Sequence, residues 1–168
     1  VTPLVVPLAK GEPYYRSAIV ARADAGLATL AELRGKRFAF GDAMSTGSKA
    51  MPESMLKEAG IGLRQLGQHG FVGSHDNVAK AVLAKDYDAG GLMLSVAEKY
   101  SGQGLKIIAT SPNIPQFPLC ASPLLAAEER EKIIQALVNL KDAKLLGALG
   151  AHVTGFARIK DSDYDGVR

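Results

Sequence analysis

The stretch that decides the fold is Lys36–Gly60, KRFAFGDAMSTGSKAMPESMLKEAG. Its first part, Lys36–Phe40, has the pattern of a short strand, and Ser48–Ala59 has apolar residues at the four-residue spacing of a helix. The loop between them is rich in glycine and small hydroxyl residues. A helix start leaves its first backbone N–H groups free, and these groups favour an anion. The stretch therefore predicts an α/β fold with a candidate anion site at this helix start.

Three hydroxyl side chains add possible donors to this helix start: Ser45, Thr46 and Ser48. A second interpretation is that Ser45 or Thr46 only caps the helix, which is a common use of these residue types. The sequence pattern alone leaves both interpretations open.

Composition and charge limit the range of functions. With 168 residues, the chain is long enough for one ordinary domain and too short for two large ones. The net charge is +3, and no dense Lys/Arg cluster of the kind that follows a nucleic-acid backbone is present, so nucleic acid is not expected as a partner. A small anion fits this charge better than a polyanion. Because Cys120 is the single cysteine, an internal disulfide framework is excluded.

Short strands alternate with helices through the middle of the chain, which predicts a largely parallel sheet flanked by helices. Predicted strands lie at 14–22, 36–40, 69–72, 89–94 and 105–109. Ser74 is a predicted cap of the helix that follows the third strand. Ligands gather beyond the carboxyl ends of parallel strands, where Ser45–Ser48 and Ser74–Asp76 would both lie. At this point His75 has two interpretations, a ligand contact or a solvated residue at a helix start. Tyr14 and Tyr15 alternate on a strand, so one of them is a candidate for the core.

The two ends of the chain differ from its middle. The segment Ser111–Pro118 contains three prolines and must be extended. Helices are predicted at Ala127–Leu140 and Ala143–Leu149, and the tail from Lys160 has the composition of surface chain. We divide the chain into 1–13, 14–110 and 111–168, with the middle part as one α/β lobe. The outer parts have too few predicted strands for a sheet of their own, so we expect that a segment which packs against them is missing.

Enzyme motifs are absent from the sequence. It has no Gly-x-Ser-x-Gly elbow and no Gly-Lys-Ser/Thr phosphate loop, and no His/Cys/Asp group has zinc spacing. We expect Asp42 and Asp88 to be turn or capping residues rather than metal ligands. The sequence therefore predicts a binding protein without catalysis, metal or cofactor.

Three segments in this order carry a family resemblance: the run from Gly11 to Ile61, GSHDNVAKAVLAKDYDAGG from Gly73, and SPNIPQFPLCASPLL from Ser111. With them, the sequence resembles the periplasmic phosphate/phosphite/phosphonate-binding proteins of ABC importers. The resemblance implies a type II periplasmic-binding-protein fold, with two α/β lobes joined by crossover strands. By this resemblance, 14–110 is the second lobe, and the flanking parts are a crossover remnant, the return crossover and the C-terminal helices of an incomplete first lobe. The N-terminal portion of that lobe is then missing.

The resemblance also implies site residues. Ser45, Thr46 and Ser48 match the family's Ser/Thr loop that holds phosphonate or phosphate oxygens, although the order here is Ser-Thr-Gly-Ser rather than the usual Ser-Thr-Ser-Gly. His75 matches the family's oxyanion-contacting histidine, and Tyr15 matches a cleft tyrosine on the first crossover.

The implied ligand is a small phosphorus oxyanion. Members that take aminoalkyl phosphonates have acidic residues near the positions of Ser95 and Gln116, and both are neutral here. Phosphate, phosphite or a simple alkyl phosphonate is therefore expected, with an ABC permease in the membrane as partner and a periplasmic or other extracytoplasmic location. The alternative is a ligand-sensing domain of a receptor or transcription regulator that uses the same fold.

Overall fold

The computed structural model describes residues 1–150 and 152–167. They form two compact units. We call Val1–Tyr15 with Asn113–Arg168 the terminal unit, and Arg16–Pro112 the central unit. Within the described residues, no helix combines the length and the apolar character needed to cross a membrane.

Strands and α-helices alternate along much of the chain. The strands are β1 (Thr2–Ala9), β2 (Tyr14–Tyr15), β3 (Ser17–Arg22), β4 (Arg37–Phe40), β5 (Gln68–Phe71), β6 (Ala89–Met93), β7 (Leu105–Thr110), β8 (Ile114–Pro115), β9 (Leu119–Ala121) and β10 (Val153–Arg158). The α-helices are α1 (Met51–Glu58), α2 (His75–Leu83), α3 (Leu94–Ser101), α4 (Ala127–Val138) and α5 (Ala143–Leu149). The predicted α/β class is confirmed.

The central unit is built on a five-stranded sheet with the order β5-β4-β6-β3-β7. Strand β4 runs parallel to β5 and β6, whereas β3 is antiparallel to β6 and to β7. All strands except β3 therefore point the same way, so the sheet is mostly parallel, as predicted. The predicted single strand from Tyr14 to Arg22 is divided at Arg16, and its two parts belong to different sheets.

Both faces of this sheet are covered. One face packs its apolar side chains with α1, around Phe38, Phe40 and Leu56, and the other packs with α2 and α3. Two neighbouring glycines in β6 allow the close approach, because successive strand residues face opposite sides. A Cβ atom on Gly90 would lie 2.5 Å from Val78 Cγ1, and one on Gly91 would lie 2.4 Å from Cγ of Pro52. The starts of α1 and α2 thus lie directly on the central strand.

The helix predicted at Ser48–Ala59 begins differently from the expectation. Residues Thr46–Ala50 form one π-helical turn, and the α-helix proper starts at Met51. Pro52 lies in the first turn of α1, where a missing N–H is tolerated. The boundary therefore shifts because the loop residues themselves wind into the first turn.

For the terminal unit, the prediction that its strands are too few for a sheet of their own is wrong. Its strands do form a sheet of their own, with the order β10-β1-β9 and antiparallel pairing throughout. The sequence analysis missed β10, and it described the part that contains β1 only as a crossover remnant. Val5, Leu146 and Phe156 form the buried cluster of this unit.

The proline-rich segment is extended, as predicted, and part of it pairs with a neighbour. Ile114–Pro115 forms an antiparallel ladder with Tyr14–Tyr15. The tail lies on the surface, as predicted, since Asp161, Asp163 and Asp165 are exposed, and Asp161–Val167 winds into a 3₁₀ helix. Tyr164 anchors this helix by donating its hydroxyl to the Gln116 carbonyl at 2.8 Å.

Candidate functional site

The candidate site lies at one edge of the central unit, where β4, β5 and β6 end. Because these three strands are parallel, the loops that follow them emerge on the same side. Two backbone hydrogen bonds join the first two loops: Val72 N–H donates to the Phe40 carbonyl at 2.9 Å, and Gly73 N–H donates to the Gly41 carbonyl at 3.0 Å. The two predicted helix starts are therefore held side by side.

Ser45 caps the π turn. Its Oγ accepts a hydrogen bond from Ser48 N–H at 3.1 Å, and its carbonyl accepts from the N–H groups of Lys49 and Ala50, both at 3.1 Å. The capping interpretation is thus confirmed for Ser45, yet a hydroxyl that accepts can still donate its own proton. The N–H groups of Thr46 and Gly47 come before Ser48 N–H, which is the first donor of the turn, so they have no partner within it. Ser45 and Thr46 are both half-buried.

Ser48 is in a different environment. Its side chain is 1% exposed and packs against Gly41, where an added Cβ would lie 2.3 Å from Ser48 Oγ. Its carbonyl accepts from Gly41 N–H at 3.2 Å. Ser48 therefore fastens the turn to the end of β4, and direct contact with a ligand stays a prediction for this residue.

His75 is the first residue of α2, directly after the confirmed cap Ser74, whose Oγ accepts from Asn77 N–H at 3.1 Å. The ring nitrogen Nδ1 of His75 accepts a hydrogen bond from Met93 N–H at 3.0 Å. Burial lowers the pKa of His75, and the nearby carboxylate of Asp76 opposes this effect. The neutral ring with Nδ1 as acceptor carries its proton on Nε2, so His75 offers one defined N–H donor.

The acidic residues around the site are engaged elsewhere. Asp76 accepts from Lys99 Nζ at 2.7 Å and from the Tyr100 hydroxyl at 2.8 Å, and these hydrogen bonds lower its pKa. Asp42 is a turn residue, as predicted, since its carboxylate accepts from Met44 N–H at 2.8 Å and its carbonyl from Ser45 N–H at 3.1 Å. Among the described residues, no cluster of His, Cys, Asp or Glu has the arrangement needed to hold a metal ion.

Tyr15 belongs to the terminal unit. It pairs with Ile114, and its ring stacks on Phe117 with 6.3 Å between the ring centroids. Its predicted role as a cleft residue stays a prediction. The sequence analysis missed three groups that hold the site residues in position: Ser17, Pro52 and the N–H of Met93. Of these, only Pro52 gave a local signal, as a proline at a helix start.

Together, the central unit brings Ser45, Thr46 and His75 to one sheet edge. Their donors are hydroxyls, backbone N–H groups and a neutral imidazole N–H. Such a set suits a small anion with several oxygen acceptors, because each oxygen can receive one or two hydrogen bonds.

Solved structures share this fold. PhnD1 from Prochlorococcus marinus (MIT 9301), in complex with methylphosphonate, superposes with a TM-score of 0.79 at 21% identity, covering 99% of this chain and 69% of that one. A binding protein component of an ABC phosphonate transporter from Pseudomonas aeruginosa superposes with a TM-score of 0.73 at 23% identity, covering 96% and 58%. The fold is thus that of periplasmic binding proteins.

Sequence comparison gives the family. The model of the periplasmic substrate-binding proteins of phosphonate ABC transporters matches residues 1–164, and the chain belongs to this family. The predicted resemblance is therefore confirmed, and the family is one of substrate-binding proteins rather than enzymes. A curated relative, the probable ABC transporter phosphite binding protein PhnD1 of Prochlorococcus marinus (strain MIT 9301), is 38% identical over 71 residues. That match spans 41% of this chain and 24% of the relative.

Proposed function

We propose that this chain belongs to an extracytoplasmic solute-binding protein, which captures a small phosphorus oxyanion and delivers it to an ABC permease, and that its central unit contributes donors to the binding site. The observation that carries the proposal is the convergence of the Ser45–Gly47 turn and His75 Nε2–H at one sheet edge, in a chain of the phosphonate-binding family. Ser45 and Thr46 donate hydroxyl protons, the turn donates backbone N–H groups, and His75 donates from its ring.

The expected ligands are phosphite, phosphate and simple alkyl phosphonates. A relative is named as a probable phosphite binding protein, and the solved PhnD1 structure holds methylphosphonate. Ser95 and Gln116 are neutral, which disfavours an aminoalkyl phosphonate. We give Ser48 a supporting role at this site, because its side chain is buried. Tyr15, whose ring stacks on Phe117 in the terminal unit, is kept as a predicted ligand contact.

Calorimetry on the complete product of the gene tests the proposal. Methylphosphonate, phosphite and phosphate are titrated separately, with an aminoalkyl phosphonate as the disfavoured ligand. Ser45→Ala and Thr46→Ala should each weaken binding by about tenfold or more, because hydrogen bonds to a charged group are among the stronger ones.

A matched control is Ser54→Ala, a serine on the exposed side of α1 whose hydroxyl contacts only Glu58 in the described contacts, at 3.3 Å. This variant should bind like the wild type. Failure of all three oxyanions to bind would overturn the proposed function, and unchanged affinity in both loop variants would overturn the site.

A further inference from the structure

A buried serine lies under the turn that carries Ser45 and Thr46. Ser17, the first residue of β3, is 0% exposed, and its hydroxyl donates to the Gly47 carbonyl at 2.7 Å. The same hydroxyl lies 3.4 Å from the Leu92 carbonyl. Ser17 also exchanges hydrogen bonds with Ser111: its N–H donates to Ser111 Oγ at 2.9 Å, and Ser111 N–H donates to its carbonyl at 2.9 Å. Ser17 thus joins the turn to the beginning of β3 and the end of β7.

The hydrogen-bond register of the turn explains why the Gly47 carbonyl needs this partner. Ala50 N–H donates to the Ser45 carbonyl, and Met51 N–H donates to the Thr46 carbonyl, each five residues back along the chain. In this register the next donor would be Pro52, which has no N–H. Gly47 is buried, and a buried carbonyl without a partner is costly. The Ser17 hydroxyl supplies the hydrogen bond that Pro52 cannot make.

We propose that Ser17 is a positioning residue for the oxyanion site, which holds Thr46–Ala50 in the π register and so presents the Ser45 and Thr46 donors in one arrangement. The inference rests on the proposed function. Without the Ser17 hydroxyl, the turn relaxes toward conformations that satisfy the Gly47 carbonyl in another way. Apparent affinity then falls by the same factor as the population of the binding-competent turn.

The test combines calorimetry with hydrogen exchange on the complete product of the gene, with methylphosphonate as the ligand. Ser17→Ala should weaken binding by about tenfold, the size expected from losing a buried hydrogen bond. It should also speed exchange of the Ala50 and Met51 amides while leaving the amides of α2 unchanged. Ser54→Ala is the control, because the Ser54 hydroxyl contacts only Glu58 among the described contacts, and it should change neither the affinity nor the exchange rates.

A second-site variant separates positioning from general stability. Pro52→Ala supplies an N–H at residue 52, which in the π register would donate to the Gly47 carbonyl. The double variant Ser17→Ala/Pro52→Ala should therefore recover most of the lost affinity. A loss that came from weakened packing would not be recovered in this way. Ser17→Cys, which keeps the size of the side chain and weakens the donor, should fall between the wild type and Ser17→Ala, and it replaces Ser17→Ala if that variant does not fold.

The outcomes are distinguishable. If the wild type binds methylphosphonate and Ser17→Ala keeps both its affinity and its exchange rates, the positioning role is wrong and the proposed function stands. If the wild type binds none of the phosphorus oxyanions, the proposed function fails, and the exchange rates of Ala50 and Met51 still decide whether Ser17 holds the turn.

Discussion

The central and terminal units differ in where they place their polar contacts. In the central unit, Ser17 and Ser111 are buried, and His75 is half-buried with Nδ1 fixed by a backbone N–H. In the terminal unit, a salt bridge joins Glu131 of α4 to Arg158 of β10, and both side chains are about half exposed. Buried polar contacts with defined partners fix side chains in one orientation, which a binding site requires. The comparison therefore favours the central unit as the place of the proposed oxyanion donors.

The central unit also buries its apolar side chains more completely than the terminal unit does. The central sheet is covered by buried side chains on both faces, whereas α4 of the terminal unit has no buried residue. Leu56 in α1 is 0% exposed, and Leu145 in α5 is 54% exposed. Truncation of each leucine to alanine is the sharpest test of this contrast. Leu56→Ala should cost about 2–5 kcal/mol of unfolding free energy, and Leu145→Ala about 0.5 kcal/mol or less.

Native-state hydrogen exchange measures both costs in the same chain, since each unit reports its own opening free energy. The two variants act as controls for each other, because residue type and helical setting are the same. Equal costs would show that the exposed apolar surface of the terminal unit contributes to stability as much as the central core does.

The next largest effect is expected at His75. Substitution by asparagine and by glutamine, whose side chains end in an amide, separates the roles of the two ring nitrogens. Asparagine places an oxygen near the position of Nδ1, so His75→Asn keeps an acceptor for Met93 N–H and loses the Nε2 donor. Glutamine reaches toward the position of Nε2, so His75→Gln keeps a donor and leaves Met93 N–H without its partner. We expect His75→Asn to bind methylphosphonate about tenfold more weakly with little change in stability, and His75→Gln to lose about 1 kcal/mol of stability.

Calorimetry and thermal unfolding distinguish these outcomes, and acid titration adds a further check. Burial lowers the pKa of folded His75, so the unfolded chain takes up this proton first as the pH falls through about 6.5. Stability is therefore lost as the pH falls below that value, and the loss ends once the folded pKa is passed. His75→Asn should remove this part of the pH dependence. An unchanged acid profile in that variant would contradict the inferred neutral histidine.

Sequence reasoning succeeded where the signal was local. The Ser74 cap, the Asp42 turn and the strand-to-helix change after β4 each depend on residues within a few positions of one another. Periodicity and capping preferences report such contacts directly. The alternation of short strands and helices likewise predicted the α/β class and the mostly parallel sheet.

The missed features depend on distant residues. Strand β10 contains Gly155 and shows weak alternation, and it becomes a strand by pairing with β1, at the opposite end of the chain. The bond from Ser17 to Gly47 and the bond from Met93 to His75 are also long-range. A serine or a backbone N–H that orients a site residue through a long-range hydrogen bond looks the same in the sequence as one that does not. The candidate donors could therefore be predicted, whereas the contacts that orient them required the structure.

The smallest effect is expected in the terminal unit, at the salt bridge between Glu131 and Arg158. Arg158 lowers the pKa of Glu131 to about 2, and the hydrogen bond from Gln135 adds to this effect. Because the pKa of folded Glu131 lies below the ordinary glutamate value of 4.5, the pair stabilises α4 against β10 above that pH, and the contribution is lost as the pH falls toward about 2. Glu131→Gln should abolish this acid-dependent part of the thermal midpoint. Its effect on the midpoint should be smaller in high salt, which screens exposed charges.

Glu128→Gln is the matched control, because Glu128 pairs with Lys132 on the same helix and both side chains are more than two thirds exposed. If the two variants lose the same stability between pH 7 and pH 3, the link from α4 to β10 is no stronger than an ordinary surface pair.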